Sequence, residues 1–512
     1  MKTKLLFAGI VFLLTITRLN ATNYYISTSG SDSNNGLTPS TSFQSIQTAT
    51  NIVVAGDCVL VMAGHYPAGF NHADLNNGSA GMPIVYKAIG SVVFDAGSAH
   101  GHNAINVEDN DYIHIIGFRA SKMFTLYNTN SNVCGIRIVN SDYSVIRNNI
   151  CDSDGTGILT AYCDHLTIEY NTCRYNGGTA GQHGIYHSNG GDYATIRYNT
   201  CTYNYGAGIQ FNPDFSSQDQ PNDGLNTGSV VSYNILAHDH IGLNTQGLVD
   251  CIISNNLIYD YGNNGMTFYH HESSGGTVNT KIFNNTIVAN NTGNWAIFLE
   301  NEVTSMQIYN NIMISVSGSG GSTCFYDGAT GKSYTSNYNI VSNLFCDVDA
   351  SCSETFLYWQ GLGYEANSIL APALTALFVD PANEDYHLKA GSVAIDAGTS
   401  LVSADVTKDL DGMVRPAGGV YDIGCYEYNS VPAGIAKIYA KDNSALVITD
   451  RTASVKSNDN SADVTFYDVL GNLVYNGNNW NYSSSASGVY MYVIYSRKNN
   501  TRSAGKFVVN NL

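Results

Sequence analysis

The sequence predicts an all-β protein, a right-handed parallel β-helix followed by a small C-terminal β-sandwich. Two repeated motifs and the composition lead to this fold class. Charged residues make up 12% of the chain, which contains 50 glycines and 36 tyrosines. Few charges with many Gly and Tyr residues are typical of an extracellular β scaffold with many turns, rather than of a helical cytosolic enzyme.

The first motif is an apolar residue, two variable residues and an Asn. It first occurs at Ile146, and its shortest interval is about 22 residues, at the low end of solenoid periods. Each repeat therefore corresponds to one coil, and stacked asparagines can hydrogen-bond to each other along one turn. The asparagines of the motif are Asn149, Asn171, Asn199, Asn234, Asn256, Asn285 and Asn311, with a further copy at Asn339.

The second motif is a Gly followed by an apolar residue, which begins a later strand of each coil. Side chains alternate across a strand, so the apolar residue should point inward and the next residue outward. The motif occurs at Gly135-Ile136, Gly157-Ile158, Gly184-Ile185, Gly208-Ile209, Gly242-Leu243 and Gly265-Met266.

Cysteine replaces apolar residues in one predicted inward column. Cys151, Cys173 and Cys201 each lie two residues after an Asn of the first motif, where later coils have Leu236 and Ile258. This pattern favours buried thiols over a disulfide framework or a metal site. The chain has 11 cysteines, so at least one is unpaired in the monomer that we expect.

The first part of the chain resembles a known superfamily. Tyr24-Tyr25-Ile26-Ser27, Asp32 to Gly36, Gly56-Asp57 and Gly64-His65-Tyr66 are similar to the opening of pectate-lyase-like β-helix proteins. The resemblance covers about residues 22–365 and implies a β-helix. It leaves the activity open, because members include polysaccharide lyases, glycosidases and many proteins without an assigned activity.

The next segment, residues 366–428, looks like the "choice-of-anchor Q" segment that often follows such helices. The resemblance is carried by Asp380-Pro381, Ile395 to Gly398, Arg415-Pro416 and Asp422 to Gly424. A solenoid needs its open end covered, and we expect this segment to cover it.

The C-terminal part, residues 436–512, resembles the type IX secretion sorting domain of Bacteroidetes and follows a linker at residues 429–435. The motifs are Val464 to Gly471, Gly488 to Tyr492 and Gly505 to Val509. The resemblance implies export across the outer membrane by the type IX secretion machinery, followed by release or surface attachment.

Residues 1–21 are predicted to be a signal peptide. Lys2 and Lys4 precede the apolar run from Leu5 to Leu14, and Ala21 ends a small-residue cleavage site. The apolar run is too short to be a stable membrane anchor, and no later segment is long and apolar enough. We therefore expect a secreted or cell-surface protein without a transmembrane segment in its mature form.

The net charge of −18 excludes nucleic acid as a partner, because the chain lacks a basic surface. A polysaccharide is the partner that the β-helix resemblance implies. The acidic surface would repel a polyanionic glycan unless local cations compensate.

A polar strip is predicted along the outward positions of the Gly-apolar strands, at a coil spacing of about 4.8 Å. Long insertions at residues 176–182, 213–228 and 270–278 lie on the same coils, and such insertions are usually functional. The predicted substrate-binding residues are Arg137, Gln210, Asn212, Asn244, Gln246, Tyr269, His270, His271 and Glu300.

The predicted reaction is cleavage of a uronate-containing glycan by β-elimination. Tyr186, with His183 or His187, is the predicted catalytic acid and base. The alternative for His187 is a hydrogen-bonded core histidine, because it falls on the inward parity. The spacing of the histidines matches no closed zinc motif, so no metal ligand is assigned; the cofactor is unknown, with calcium as the candidate.

Two alternatives stay open. Glycoside hydrolysis needs two carboxyl groups beside the scissile bond, and Asp214, Asp239, Glu272 and Glu300 could provide them. The other alternative is a non-catalytic surface protein that binds glycans or acts as an adhesin.

Overall fold

The computed structural model describes most of residues 21–428, and in residues 437–509 it describes the strands. The predicted linker and all but the last residue of the predicted signal peptide lie outside the described residues. The positions not described between 21 and 428 are 68, 96–102, 124–132, 179–180, 217–221, 290–291, 301, 318–319, 326–332 and 348–351.

The chain forms a right-handed parallel β-helix, as predicted. One wall, the back sheet, has two series of parallel strands that lie before and after the repeated Asn. The first series is Asn23–Ile26, Cys58–Tyr66, Ile84–Asp95, Ile113–Ser121, Val145–Arg147, Thr167–Glu169, Thr195–Arg197, Val230–Ser232, Ile252–Ser254, Lys281–Phe283, Met306–Tyr309 and Tyr334–Asn337. The second is Ile150–Asp152, Thr172–Arg174, Thr200–Thr202, Ile235–Ala237, Leu257–Tyr259, Thr286–Ala289, Ile312–Ser315, Ile340–Val341 and Ile369–Leu370.

The opposite wall, the site sheet, contains the strands of the Gly-apolar motif, and a small sheet follows it in several coils. The site sheet consists of Phe70–Ala73, Ile105–Glu108, Cys134–Val139, Thr156–Ala161, Ile185–Ser188, Ala207–Asn212, Ile241–Gln246, Met266–Tyr269, Ile297–Leu299 and Thr323–Phe325. The small sheet consists of Asn226–Thr227, Leu248–Val249, Thr277–Val278 and Val303–Thr304.

The predicted Asn ladder is confirmed. From Asn149 to Asn311, each side-chain Nδ2 donates to Oδ1 of the Asn in the next coil at 3.0–3.2 Å. The same Oδ1 atoms accept the backbone N–H of the preceding Asn. The ladder ends at the buried Glu365, whose Oε2 accepts from Asn339 Nδ2 at 2.9 Å.

The glycines of the second motif are explained by close packing between coils. A Cβ atom on Gly157, Gly184 or Gly242 would lie 2.6 Å from the carbonyl oxygen of the glycine in the next coil. Real Cβ contacts are longer than this, so a larger residue would push the coils apart. The inward cysteine column is also confirmed, since Cys151, Cys173 and Cys201 pair in register and are buried thiols.

A disulfide joins Cys346 and Cys352, and the other nine cysteines keep their thiols. The disulfide lies outside the predicted column, beyond the last strand of the site sheet. Its loop position is consistent with the prediction that thiols, rather than a disulfide framework, fill the core.

The open end of the helix is covered by a different element from the one predicted. Trp359, on the helix Phe356–Gly361, is 1% exposed and stacks on Phe325 and Phe345. The last strand of the β-helix, Ile369–Leu370, lies just beyond the predicted boundary of the β-helix at residue 365. At the N-terminal end, Ile46 and Ala49 of a short helix join the core.

Residues 371–428, here called the flank segment, pack along the side of the last coils. Phe378 and Tyr386 belong to one buried apolar cluster with outward residues of the back sheet such as Leu257 and Ile312. The expectation that this segment covers the open end is therefore wrong. Its position follows from the apolar outward side chains of those strands, which need a partner.

The remaining elements are short. The helices are Pro39–Thr41, Ile46–Thr50, Phe356–Gly361, Leu374–Leu377, Pro381–Asn383 and Ser400–Val402, and the flank segment contains the antiparallel pair Phe378–Asp380 and Asp385–Leu388. Two antiparallel sheets follow, one of Lys437–Tyr439, Ala445–Ile448, Thr452–Lys456 and Asn479–Asn481 and one of Ala462–Tyr467, Leu473–Asn476, Gly488–Ser496 and Thr501–Val509. Within the described ranges, none of the helices has the length and hydropathy needed to cross a membrane.

The first prediction concerns the ladder. Replacing Asn199 by Ala leaves the N–H of Asn171 and the carbonyl of Ile168 without their partners in a buried site. We expect a loss of about 3 kcal/mol in the free energy of unfolding, measured by guanidinium denaturation. Asn383→Ala, at an exposed side chain, is the control and should change stability by less than about 0.5 kcal/mol. Equal effects of the two variants would contradict the role of the ladder.

Candidate functional site

The strand register brings the predicted outward residues together. Tyr186 pairs with Gln210 in the next coil, and Gln210 pairs with Asn244. In the neighbouring row, Ser188 pairs with Asn212, and Gln246 pairs with Tyr269. The predicted polar strip is therefore present on the site sheet.

Part of the strip is covered by loops. Gln246 is fully buried, and its Oε1 accepts the backbone N–H groups of His271 and Glu272 at 3.1 and 2.9 Å. Its Nε2 donates to Asn212 Oδ1. Gln246 thus holds the loop after Tyr269 in place, and it has no surface left for the substrate contact that the sequence predicted.

Tyr269 lies at the centre of the polar side chains. Its phenol oxygen accepts hydrogen bonds from Gln210 Nε2 at 2.9 Å and from Asn244 Nδ2 at 3.4 Å. Burial raises the pKa of Tyr269 to about 12, the bond from Gln210 opposes the rise, and the negative charge of Glu272 adds to it. The phenol is therefore protonated at neutral pH and can donate its proton.

Tyr186 has a similar environment. Its phenol oxygen accepts from Asn212 Nδ2 at 3.1 Å, and the same Nδ2 donates to Glu272 Oε2 at 2.6 Å. Burial raises the pKa of Tyr186, the bond from Asn212 opposes the rise, and the charges of Glu272 and Asp214 add to it. Tyr186 is thus a second protonated phenol on the strip.

His271 and Glu300 form a dyad beside Tyr269. His271 Nε2 lies 2.9 Å from Glu300 Oε1, and the imidazole packs edge-on against the Tyr269 ring at 5.1 Å between centroids. The His271 side chain is 58% exposed, whereas Glu300 is 16% exposed. Because a carboxylate can only accept, Nε2 carries a proton, and Nδ1 of the neutral ring has a free lone pair. These residues make up the polar cluster, namely Tyr186, Gln210, Asn212, Asn244, Tyr269, His271, Glu272 and Glu300.

His270 also lies at this loop, but both of its ring nitrogens are engaged. Nδ1 lies 3.0 Å from Glu302 Oε2, and Nε2 lies 3.0 Å from the carbonyl of Ser273. His270 therefore stabilises the loop that carries His271.

His187 lies in the core rather than at the cluster. It is fully buried, with Nδ1 2.8 Å from Thr160 Oγ1 and Nε2 3.1 Å from the carbonyl of Gly191. Burial lowers the pKa of its imidazole. This position matches the alternative of a satisfied core histidine and leaves no room for contact with a substrate.

His183 packs against the Tyr186 ring at 5.0 Å between centroids but is itself almost completely buried. Its Nδ1 accepts the backbone N–H of Ala207 at 2.9 Å, so the lone pair that a base needs is occupied. Burial lowers the pKa of His183 to about 4. His183 therefore supports Tyr186 by packing, and the geometry does not favour it as the base.

Arg137 lies apart from the cluster, two coils from Tyr186 in the register. Its Nη1 pairs with Glu108 Oε2 at 2.7 Å and with Asn106 Oδ1 at 2.9 Å. Its part in binding a longer substrate remains a prediction.

The candidate carboxylates also differ in access. Glu272 is exposed and Asp214 is partly exposed, but Asp239 is 1% exposed and accepts from the backbone N–H and the side chain of Asn204. Asp239 ends a second ladder, which was not predicted from the sequence and which runs from Asp154 through Asn176 and Asn204. Asp239 is thus a structural residue rather than a candidate for hydrolysis.

Among the described residues, no group of three His, Cys, Asp or Glu side chains converges at the cluster. Over the described part of the chain, three potential ligands converge in two places, at Cys324 with Cys346 and Cys352 and at His238 with Asp260 and Glu384. Neither place includes a residue of the cluster. Calcium therefore remains a prediction from the sequence.

Comparison with known proteins gives a partial family match. The family model described as "Periplasmic copper-binding protein (NosD)" matches residues 75–221, less than a third of the chain. No curated protein sequence matches the chain.

Several solved structures are similar to this chain at low identity. A structure described as the complex of XylC with xylose has 11% identity and a TM-score of 0.43, and covers 65% of this chain and 85% of that one. An alginate lyase from Paenibacillus sp. str. FPU-7 has 14% identity and a TM-score of 0.39, with coverages of 54% and 94%. A rhamnogalacturonan lyase has 16% identity and a TM-score of 0.39, with coverages of 70% and 91%. Similarities of this size do not carry an activity over to this chain.

The second prediction concerns the stability of the protein at low pH, to which the buried His183 contributes. The pKa of His183 is about 4 in the folded protein, below the ordinary value of about 6.5. Between these pH values the unfolded chain binds the proton and the folded chain does not, so stability falls as the pH is lowered from about 6.5 to about 4. For His183 alone the loss is at most about 3 kcal/mol.

The test compares urea denaturation at pH 7 and pH 4.5 for the wild type, His183→Gln and the exposed control His65→Gln. We expect His183→Gln to lose less stability on acidification than the wild type and the control. An identical pH dependence in all three proteins would rule out this contribution from His183.

Proposed function

We propose that this protein is an exported polysaccharide lyase that cleaves a uronate-containing glycan by β-elimination. The observation that carries the proposal is the pairing of a protonated phenol, Tyr269, with an imidazole, His271, at the edge of the polar strip. Each of the two groups has partners of its own that orient it.

His271 is the proposed base. Elimination requires removal of the proton on the sugar carbon that bears the carboxylate, and an imidazole is the side chain best suited to this near neutral pH. Glu300 accepts from Nε2, which leaves Nδ1 as the basic atom and stabilises the imidazolium that forms.

Tyr269 is the proposed acid. Its phenol donates a proton to the glycosidic oxygen of the leaving sugar as the bond breaks. Gln210 Nε2 and Asn244 Nδ2 already point at the phenol oxygen, so they stabilise the phenolate without reorganisation. Tyr186 is neither the acid nor the base in this scheme. Its hydroxyl, together with Asn212, is proposed to contact the sugar chain.

The amide side chains on the strip support binding of a carbohydrate. Asn and Gln offer both donors and acceptors to sugar hydroxyls. The N–H groups of Gln210 and Asn244 are donated to neighbouring side chains and to the Phe211 carbonyl. Glu272 is exposed at the same cluster and repels an anion, so we expect the substrate carboxylate to lie away from Glu272.

Export is part of the proposal and is supported by the sequence motifs. The signal-peptide pattern, the sorting-domain motifs and the antiparallel strands over residues 437–509 fit a protein that crosses both membranes. The site would then act outside the cell, where polysaccharides are found.

Glycoside hydrolysis is the second candidate. Glu272 lies in the loop after Tyr269 and is exposed to solvent. Glu300 directly follows the neighbouring strand and contacts His271 of the same loop. Two carboxyl groups on opposite sides of a sugar could act as acid and base. Glu300 is engaged by His271, which favours elimination.

The third prediction tests the reaction. The full chain is incubated with a panel of anionic and neutral polysaccharides, and unsaturated-uronate absorbance and new reducing ends are followed together. A lyase produces both signals. Tyr269→Phe and His271→Gln should each lower kcat by about 10²–10⁴-fold, while Tyr205→Phe, at a phenol that is 56% exposed, should keep full activity.

The remaining outcomes separate the alternatives. Reducing ends without absorbance would contradict elimination and point to hydrolysis, in which case Glu272→Gln and Glu300→Gln should be the inactive variants. Glycan binding without either signal across the panel would favour a non-catalytic surface protein. Full activity of Tyr269→Phe with a lyase product would show that another residue is the acid, and Tyr186→Phe is the variant to measure next.

A further inference from the structure

A second group of polar side chains lies at a corner of the β-helix, away from the polar cluster. His238 and Asp260 occupy the same corner position in adjacent coils, since the His238 N–H bonds the carbonyl of Tyr259 and both residues have a positive φ. Glu384 of the flank segment faces them. His238 Nε2 lies 3.0 Å from Glu384 Oε1, and His238 Nδ1 lies 3.8 Å from Asp260 Oδ2.

We propose that His238, Asp260 and Glu384 bind a divalent transition-metal ion of the zinc class. One donor atom from each residue lies within 4.8 Å of the other two. Zinc bonds nitrogen and oxygen donors at about 2.0–2.2 Å, so donor atoms on one ion lie about 3–4 Å apart. Small side-chain rotations therefore bring these three donors to one ion, with water completing the tetrahedron.

The donor set selects the class of ion. One imidazole with two carboxylates suits a borderline ion such as Zn²⁺, whereas Ca²⁺ and Mg²⁺ prefer sites built from oxygen alone. The two carboxylates also need a positive charge between them.

The surroundings hold the ligands in place, as is usual at metal sites. The Tyr259 hydroxyl donates to Glu384 Oε2 at 3.0 Å, which leaves Oε1 for the ion. The imidazole of His238 stacks on Tyr203 with ring centroids 4.4 Å apart. Both contacts restrict rotation of a ligand, so less side-chain entropy is lost when the ion binds.

The ion would join three parts of the chain that are distant in sequence. His238 and Asp260 come from consecutive coils, and Glu384 comes from the flank segment. A bound ion therefore fixes the flank segment to the β-helix, and by linkage it stabilises the folded protein in proportion to its affinity.

The test uses the full chain, purified without a polyhistidine tag and without reductant so that the Cys346–Cys352 disulfide is kept. The protein is stripped with a chelator and titrated with Zn²⁺ by calorimetry, and bound zinc is counted by mass spectrometry. We expect about one zinc per chain and a rise in Tm of a few degrees. His238→Gln, Asp260→Asn and Glu384→Gln should each abolish both effects.

Two further variants separate metal binding from a merely structural hydrogen bond. Tyr259→Phe should weaken zinc binding by about 10-fold, because only the partner of a ligand is lost. His165→Gln, at an exposed histidine that stacks on Tyr143 and Tyr193 at another corner, should bind zinc as the wild type does. No zinc uptake by the wild type, or full uptake by His238→Gln, would overturn the proposal.

Discussion

The Asn ladder is the interaction on which the rest of this structure depends. A coil of a β-helix has no sheet partner of its own at the turn, so its turn N–H groups must be satisfied by the next coil. Asn supplies both an acceptor and a donor there, and Asn171 Oδ1 accepts from the backbone and the side chain of Asn149 at once. Because each rung needs the next, the ladder fixes the register of neighbouring coils and ends only where Glu365 accepts the last amide.

Fixed register is also what builds the polar cluster. Tyr186, Gln210 and Asn244 are far apart in sequence but stand in one row of the site sheet, because the ladder on the opposite wall allows no slip. A shift of one residue in any coil would turn its outward side chains inward. The hydrogen bonds from the amide groups of Gln210 and Asn244 to the Tyr269 phenol therefore depend on turns on the opposite wall.

The features that repeat could be predicted from the sequence, and the features that do not repeat could not. The ladder, the column of Cys151, Cys173 and Cys201, and the outward row followed from a period of one coil and the alternation along a strand. Three features depend instead on loops and on single tertiary contacts. They are the hydrogen bond that His183 Nδ1 accepts from Ala207, the burial of Gln246 and the position of the flank segment. The register places Glu300 next to the end of the Tyr269 strand, so the contact between Glu300 and His271 could have been predicted from the repeat.

Burial divides the two proposed roles between strand and loop. Tyr269 ends a strand of the site sheet, where lost solvation raises the pKa of its phenol to about 12 and keeps it protonated as an acid. His271 lies two residues later on an exposed loop, where solvent can take up the proton that the proposed base removes. Exchanging the two residues would give a buried imidazole that loses its proton readily but regains it slowly, and an exposed phenol without amide partners. In the proposed mechanism the order of strand and loop matters, because it gives the proposed acid a rigid, partly buried place and the proposed base access to solvent.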